Sequence, residues 1–400
     1  MVVFLPPQSQ AQTSPWVRLG ANAVPAYVRA DPVPGGEPLG EVRLLQPAIM
    51  AHGGALADRL RLTATLNLEG LTIPNGELGL GDWGEGFVDR RHPHTYVHEV
   101  MLSFQETIGA AMVSLSAGKG FAPFGTDDPM SRPVLRYPVN HHLAQILERA
   151  VGILGVHGGP VMLEAGLFNG DEPERPGQFP LLSRFGDSWS ARLTVLAPEH
   201  VEIQGSHAEV NSPEHRPGSG TDQSKWSVSA RWSGPVTRWP VYGLIEWART
   251  SEANGFFVFD SFLAEGAWTG GRSRLHYRFE QTERPEEQRI SSPFRSLRPH
   301  LENSILGTTR WTIHTAGYGV QFQPAAIIGI LPLVELSYGR MADVGGGLFN
   351  VASFYGKTSF WSVSLGARLT VGAPLHRMGR YGVAQDTAAM GREGHHGNHE

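Results

Sequence analysis

The chain of 400 residues has no cysteine, few charged residues and no long apolar run. Charged residues make up only 18% of it, against about a quarter of an average soluble domain. The longest strongly apolar stretch, 325–334, is about half as long as a membrane-spanning helix. A net charge of −5 does not suit nucleic-acid binding. These absences argue against a helical membrane protein and a nucleic-acid binder, and the missing cysteine is typical of exported bacterial proteins.

What the chain has instead is a series of short segments in which apolar and polar residues alternate. The clearest is Trp226-Ser-Val-Ser-Ala-Arg-Trp232, in which every second side chain is apolar. A period of two is typical of a β-strand with one apolar face. A soluble sandwich would place few Trp residues at both ends of such a face, whereas a barrel in lipid has aromatic residues at both interfaces. The pattern predicts an all-β fold, an antiparallel transmembrane β-barrel.

Sixteen such segments occur, and the connections between them are alternately short and long. Outer-membrane barrels show this alternation because their periplasmic turns are short and their extracellular loops are long. Several soluble β domains would not show it. With both termini in the periplasm, the count is even at sixteen, and fourteen to eighteen strands fit the pattern. The predicted strands are 15–29, 40–53, 58–70, 94–107, 110–120, 150–158, 160–169, 187–197, 200–210, 224–234, 239–250, 255–268, 272–284, 310–323, 329–341 and 359–372.

The two ends of the chain differ from the barrel, which we place at 12–372. Residues 1–11 resemble the end of a secretory signal peptide, because a short apolar piece precedes a small-x-small site. Its basic part is missing, so we expect the true translation start to lie upstream; an ordinary disordered N-terminus is the alternative. Residues 373–400, rich in His at their end, are expected to be a flexible periplasmic tail. The protein is thus expected to be integral to the outer membrane of a Gram-negative cell.

The parity of each strand assigns its side chains to lipid or to the lumen. Arg or Lys at the membrane midplane costs about 2–4 kcal/mol, so charged residues on strands are expected to point inward. Their signs are mixed, which predicts an open, water-filled and weakly selective lumen; Arg–Glu pairs that brace the interior are the alternative. The strand residues predicted to line the pore are Arg61, Glu164, Arg192, Arg231, Glu246, Arg274, Arg278, Glu280, Glu335 and Arg368, and Glu99, Glu202 and Glu265 share their inward parity.

The connection 121–149 is unlike the other long loops. It begins with two acidic residues, Asp127 and Asp128, continues with basic ones, and contains a predicted helix that runs to residue 149 with Asn140 as its N-cap. Folded inward, this loop would form a basic constriction that favours anions. As an extracellular lid, its charges would only face water. The candidate constriction residues are Arg132, Arg136, His141, His142 and Arg149.

Two motifs resemble one family of bacterial proteins. Lys119-Gly-Phe-Ala-Pro-Phe-Gly125 is similar to the G(R/K)FxPxG region of phosphate-selective porins, with one extra Gly, and residues 354–369 resemble their closing loop and strand. The resemblance implies an outer-membrane barrel that passes anions, with a homotrimer as the common assembly. Two features depart from that family: lumenal Lys is almost absent, and a tail follows the last strand where many such barrels end on an aromatic residue.

The sequence therefore predicts a porin-like channel for passive diffusion of small hydrophilic solutes or ions, with a mild anion preference. We expect outer-membrane lipid and such solutes as partners, no nucleic acid, no cofactor and no enzymatic activity. The first alternative is a barrel plugged by the loop 121–149, with a binding or structural role. A barrel hydrolase is less favoured, because we find no compact His/Ser/Asp or paired-carboxylate set at one rim.

One His cluster is the best metal candidate in the sequence. His92, His94 and His98 have the same parity and would lie along one strand face, where imidazoles could hold a transition metal. The same parity places His98 with Val100 on the lipid side, at the outer rim. A solvated interfacial His is therefore the favoured interpretation, and no metal site is predicted.

Overall fold

A computed structural model describes residues 14–31, 39–72, 95–146, 148–172, 176–198, 200–211, 221–236, 239–287, 305–347, 350–373 and 377–385. Its strands form one antiparallel sheet in which neighbours along the chain pair, and the first strand also pairs with the last. The sheet is therefore a closed barrel. The strands are β1 (Trp16–Asp31), β2 (Leu39–Ala55), β3 (Leu60–Asn67), β4 (Val97–Ile108), β5 (Ala111–Gly120), β6 (Arg149–Gly158), β7 (Val161–Phe168), β8 (Ser188–Ala197), β9 (Val201–Val210), β10 (Gln223–Val236), β11 (Trp239–Glu252), β12 (Phe257–Gly270), β13 (Ser273–Glu287), β14 (Ile305–Val320), β15 (Phe322–Ala325), β16 (Ile328–Gly347) and β17 (Ser359–Gly372).

The short strand β15 continues β14, and the two occupy one position in the barrel wall. We call each such position a stave. Both strands pair with β16, β14 from Gly307 to Gly319 and β15 at Phe322 and Ala325. The barrel therefore has sixteen staves, and the predicted number is confirmed. Several strands run further than predicted: β16 reaches Gly347, six residues past the predicted end at 341.

The outer surface of the barrel is apolar. In β5, for example, Leu115 is 62% exposed while its neighbours Ser114 and Ser116 are buried inside, as the alternation requires. A continuous apolar surface of this size is stable only against lipid, so the barrel spans a membrane. The outward residues include Leu62, Leu66, Leu102, Phe104, Leu115, Leu154, Leu163, Leu167, Leu193, Ile203, Val228, Ile245, Phe262, Leu275, Val334, Leu336 and Leu365.

The two ends of the barrel differ in their connections. The turn end carries the short ones, such as 109–110 and 271–272, and the loop end carries the long ones. Trp189, Trp226 and Trp361 point outward near the loop end, where an amphipathic indole meets the membrane interface.

The described residues include the short helices α1 (Glu69–Thr72), α2 (His141–Ala144) and α3 (Val351–Tyr355). Within the described ranges, no helix is long and apolar enough to cross a membrane. The buried apolar side chains lie inside the barrel. One cluster joins β1, β14, β16 and β17 to α3, and a second includes residues of β2, β4, β6, β7 and β9.

A bulge in β4 directs two consecutive side chains into the barrel. Thr65 of β3 opposes Glu99 and Leu66 opposes Val97, so His98 is the extra residue. His98 and Glu99 are both fully buried. The prediction that His98 faces lipid is therefore wrong, because a bulge breaks the parity on which it was based. His92 and His94 lie outside the described residues.

The lipid-facing surface gives a depth-dependent prediction for stability. Leu115→Arg, in the middle of β5, should lower the free energy of unfolding by about 2–4 kcal/mol, because it places a charge in hydrocarbon. Ile108→Arg is the control: this residue is equally exposed, at 63%, but ends β4 beside a turn, and its cost should be about 0–1 kcal/mol. Denaturant titration in phospholipid vesicles measures both. Equal losses would contradict this orientation of the strands.

Candidate functional site

The loop between β5 and β6 folds into the barrel and not over it. We call Phe121–Ile146 the lumenal loop. Near its start, the Asp128 carboxylate lies 3.5 Å from Nε2 of His98 on β4. Further on, Nδ2 of Asn140 donates to Oγ of Ser261 on β12 at 2.8 Å. β4 and β12 lie opposite each other in a barrel of sixteen staves, so the lumenal loop crosses the whole lumen.

The motif that opens the lumenal loop requires a glycine at its end. Gly125 has a positive φ of 66°, and a Cβ on it would lie 1.7 Å from the carbonyl oxygen of Ala144. Gly125 also forms an isolated bridge with Gln145, so the two ends of the loop meet there. Its amide donates to Oγ of Ser206 on β9 at 2.9 Å, which fixes this junction to the wall.

Two buried carboxylates of the wall hold the middle of the lumenal loop by its backbone. Glu335 on β16 accepts hydrogen bonds from the amides of Leu135 and Arg136 at 2.5 and 3.2 Å. Glu280 on β13 accepts from the amide of Val139 at 2.7 Å and pairs with the Arg136 guanidinium at 2.7 Å. These bonds satisfy donors that an irregular backbone cannot satisfy internally. The loop is thus fixed at mid-depth in the barrel.

Two further acidic side chains, Glu246 on β11 and Glu265 on β12, face Arg132 of the lumenal loop. The Arg132 guanidinium lies 3.9 Å from the Glu246 carboxylate and 3.8 Å from that of Glu265. Glu246 also accepts hydrogen bonds from Thr126 Oγ1 at 2.5 Å and from Asn140 Nδ2 at 2.9 Å. The basic residues of the loop are therefore compensated by the acidic wall, and they do not form the basic constriction expected.

The predicted helix in this loop is much shorter in the structure. α2 covers only His141–Ala144, and Asn140 does not cap it through its side chain, because that amide binds Glu246 and Ser261 instead. Wall contacts thus outweigh the local helix signal. The His141 ring stacks on Tyr137 with ring centroids 5.4 Å apart.

Near the loop end of the barrel, His98 on β4 contacts two carboxylates of the connection between β5 and β6. Its Nδ1 lies 2.7 Å from the Glu148 carboxylate, and its Nε2 faces Asp128. Burial raises the pKa of Asp128, but the nearby His98 ring and the hydrogen bond from the Met130 amide outweigh it, so the pKa lies below its usual value. The alternation of residues along β4 does not predict this cluster of His98, Asp128 and Glu148, because His98 points inward only through the bulge in β4.

Inside the wall, oppositely charged residues on neighbouring strands pair directly. Arg192 on β8 makes a bidentate contact with Glu164 on β7, with bonds of 2.7 and 2.8 Å. Arg278 on β13 donates to Glu265 on β12 at 2.6 Å. In both pairs the residues stand opposite each other in the strand register. This is the bracing arrangement that sequence analysis held as the alternative to a water-filled lumen.

A second segment, after the last strand, also lies inside the barrel. We call Arg377–Gln385 the C-terminal segment. Met378 and Val383 are completely buried, and Arg377 pairs with Glu202 at 2.7 Å and with Asp127 at 3.0 Å. These nine residues therefore differ from the flexible tail expected over 373–400. Residues 386–400 lie outside the described part of the chain.

Hydrogen bonds fix the rest of the C-terminal segment beneath the lumenal loop. The Tyr381 hydroxyl donates to Glu99 on β4 at 2.7 Å and accepts from the Phe121 amide at 3.1 Å. The Val383 amide donates to Oγ of Ser114 on β5 at 3.1 Å. The segment thus covers one half of the lumen, the half lined by β3 to β9.

Asp127 is the point at which the loop, the wall and the C-terminal segment meet. Its carboxylate contacts the guanidinium groups of Arg231 on β10 and Arg377. Burial raises the pKa of Asp127, but these two cations outweigh it and hold the pKa well below its usual range. Asp127 therefore stays ionised inside the barrel.

Every predicted pore residue whose side chain is described lies inside the barrel. Most are buried and paired, so the prediction of an open, water-filled lumen is wrong for the described residues: the lumenal loop and the C-terminal segment fill the space. The side chain of His142 is outside the described part. Those placed inside are Arg61, Arg132, Arg136, His141, Arg149, Glu164, Arg192, Arg231, Glu246, Arg274, Arg278, Glu280, Glu335 and Arg368.

The turn end of the lumen is different, because two arginines of its wall form no ion pair within 4.0 Å of a described residue. Arg274 is half-buried, whereas Nε and Nη2 of Arg368 are buried and its charge interacts with Glu335 over a longer distance. Arg274 donates to the carbonyl oxygens of Gly271 and Ser273 at 3.0 and 3.1 Å. Arg368 donates to the Arg132 carbonyl oxygen at 3.1 Å. We call this region, on the half of the barrel formed by β10 to β17, the basic mouth.

Comparison with known proteins identifies the fold. No family model and no curated protein sequence matches the chain. Among solved structures, an anion-selective porin from Comamonas acidovorans superposes with a TM-score of 0.52 and 10% identity, covering 89% of this chain and 100% of its own. In-vitro folded OmpT, an outer membrane protein of Vibrio cholerae, gives 0.50 and 11%, covering 90% and 100%. The chain therefore has the fold of an outer-membrane porin barrel.

The anchoring of the lumenal loop can be tested through its ion pair. Glu280→Ala leaves the Arg136 guanidinium and the Val139 amide without their carboxylate, which should lower the free energy of unfolding by about 3–5 kcal/mol. Asp260→Ala is the control, because its pair with Arg249 is exposed and should contribute about 0.2–1 kcal/mol. Denaturant titration in lipid vesicles compares them. A loss at Glu280 as small as that at Asp260 would contradict a tightly anchored loop.

Proposed function

We propose that the protein is a porin-type outer-membrane channel for small hydrophilic solutes, with a preference for anions and with its turn end in the periplasm. The observation that carries the proposal is the basic mouth. Arg274 is partly exposed on the wall of a porin-fold barrel, and neither Arg274 nor Arg368 forms an ion pair within 4.0 Å of a described carboxylate. Such groups raise the local concentration of anions and exclude cations.

The solute path runs along the half of the lumen formed by β10 to β17. At the turn end of this half, the inward residues Arg231, Tyr242 and Arg368 keep partial exposure to solvent. At mid-depth the lumenal loop narrows the path, and its contacts with Glu280 and Glu335 hold it there. We therefore expect a low single-channel conductance for a barrel of this width. The anion-selective porin of the same fold supports the sign of the preference.

The specific resemblance to phosphate-selective porins and the homotrimer stay predictions. Lysine is absent from the basic mouth, whose cations are arginines. Arginine binds oxyanions through a planar, bidentate fork, so the mouth suits carboxylates as well as phosphate.

A sealed barrel with a binding or structural role is the second candidate. It is favoured by the burial of inward side chains on β6 to β9, where Arg192 and Glu164 are each only 1% exposed. Conductance separates the two candidates directly. Steady low-conductance openings support the channel, whereas a folded barrel that never opens supports the sealed one.

Charge reversal at the basic mouth tests ion selectivity. In Arg274→Glu/Arg368→Glu the reversal potential in a salt gradient should move toward the cation-selective sign, because two fixed cations become anions at the entrance. Arg340→Glu is the matched control, since Arg340 is exposed on the outer face near the loop end. Planar-bilayer recording of refolded protein gives the potential. An unchanged reversal potential in the double variant would overturn the proposed anion preference.

A further inference from the structure

We propose that the C-terminal segment is an autoinhibitory plug that closes the half of the lumen formed by β3 to β9 and leaves it when the channel opens widely. The inference rests on the proposed channel function and adds a moving part to it. It begins from the position of the segment: it lies inside the wall but belongs to no stave, and residues 374–376 join it to the last strand. Its removal therefore breaks no strand pairing.

The segment closes this half of the lumen by reaching across its wall. Arg377 contacts Glu202 on β9, Tyr381 contacts Glu99 on β4, and the amide of Gln385 donates to Thr63 on β3 at 3.0 Å. Met378, Val383 and Ala384 have no exposed surface. Among the described residues, the segment is therefore packed against this half of the wall.

Charge complementarity is one of the interactions that hold the segment in its site. The segment contributes two guanidinium groups, and the site contributes the carboxylates of Asp127, Glu164 and Glu202. Arg380 lies 4.0 Å from Glu164 and 3.6 Å from Glu202, and none of its three guanidinium nitrogens has a hydrogen-bond partner among the described residues. Arg380 is therefore held at ion-pair distance and without close hydrogen bonds.

Two of the three carboxylates of the site, Asp127 and Glu164, have a cation partner outside the segment. Asp127 also contacts Arg231, and Glu164 makes its two short bonds to Arg192. Glu202 keeps the neutral Gln204 amide at 2.5 Å, but its two ion pairs are with Arg377 and Arg380 of the segment, so release costs these two pairs. Because an uncompensated buried charge is what makes breaking an ion pair costly, a wall that keeps its own partners lowers the cost of release.

Release would expose a part of the wall that mixes polar and apolar side chains. Ser114 and Ser116 lie beside Gly382, and Met112 and Met162 pack against Val383 and Ala384. Because the segment remains joined to β17, its local concentration near the lumen stays high and rebinding is fast. These two properties describe a plug that opens and closes without unfolding the barrel.

Truncation tests the plug by removing it. A chain ending at residue 376 should show a conductance several-fold above that of the full chain in planar bilayers, because half of the lumen is emptied. A chain ending at residue 385 is the matched control: it loses the His-rich end but keeps the plug, and it should conduct as the full chain does. Heat modifiability on gels confirms that each barrel is folded.

A reversible lock tests the same proposal in the full-length chain. The Val383 amide lies beside Ser114 Oγ, and the protein has no cysteine, so Ser114→Cys/Val383→Cys offers one pair within reach of a disulfide. Oxidation should abolish the wide openings, and reduction should restore them to the level of the full chain. Each single-cysteine variant should be insensitive to the redox state.

The outcomes separate this inference from the proposed function. If the full chain and the 376-residue chain conduct equally, or if reduction of the locked variant changes nothing, the segment is only a structural filler and the inference is overturned. If all folded variants are silent, the channel function itself is overturned. If the 376-residue chain does not fold, the lock alone decides between plug and filler.

Discussion

The structure depends on the width of the barrel. About eight strands enclose an interior that wall side chains can fill, whereas about sixteen leave a channel. This barrel has sixteen staves, yet its inward residues are buried over most of the wall, because two further segments of the chain occupy the lumen. The lumenal loop crosses the lumen at mid-depth and the C-terminal segment lies beneath it. The inserted segments therefore fill the lumen, and the side chains of the wall bind them there.

Wall carboxylates are what make those sites specific. An inserted segment without regular secondary structure has amides that it cannot satisfy itself, and leaving one buried without a partner costs about 1–3 kcal/mol. Glu280 and Glu335 each accept backbone amides of the lumenal loop, and Glu280 also pairs with a guanidinium. One carboxylate thus satisfies donors of two kinds. Apolar side chains could fill the same volume, but they would leave the amides unpaired.

The barrel itself could be predicted from sequence, whereas the filling of its lumen could not. Alternation and loop lengths gave sixteen staves, because the period of two and the turn chemistry are local. His98 was misplaced because a bulge changes parity without a local signature. The sequence predicts a flexible tail where the structure has the C-terminal segment, although Arg377-Met-Gly-Arg-Tyr381 is richer in Arg and aromatic residues than the end that follows it. Its partners, such as Glu99, lie far away in sequence, where a local pattern has no information.

The two inserted segments differ in how firmly the wall holds them. Among the described residues, the hydrogen bonds of Glu280 all go to the lumenal loop, so displacing the loop would strand a buried carboxylate. Below it, Asp127 and Glu164 keep Arg231 and Arg192 when the C-terminal segment leaves. Stranding a buried charge costs several kcal/mol, and keeping its partner avoids that cost. We therefore expect the C-terminal segment to leave the lumen before the lumenal loop does.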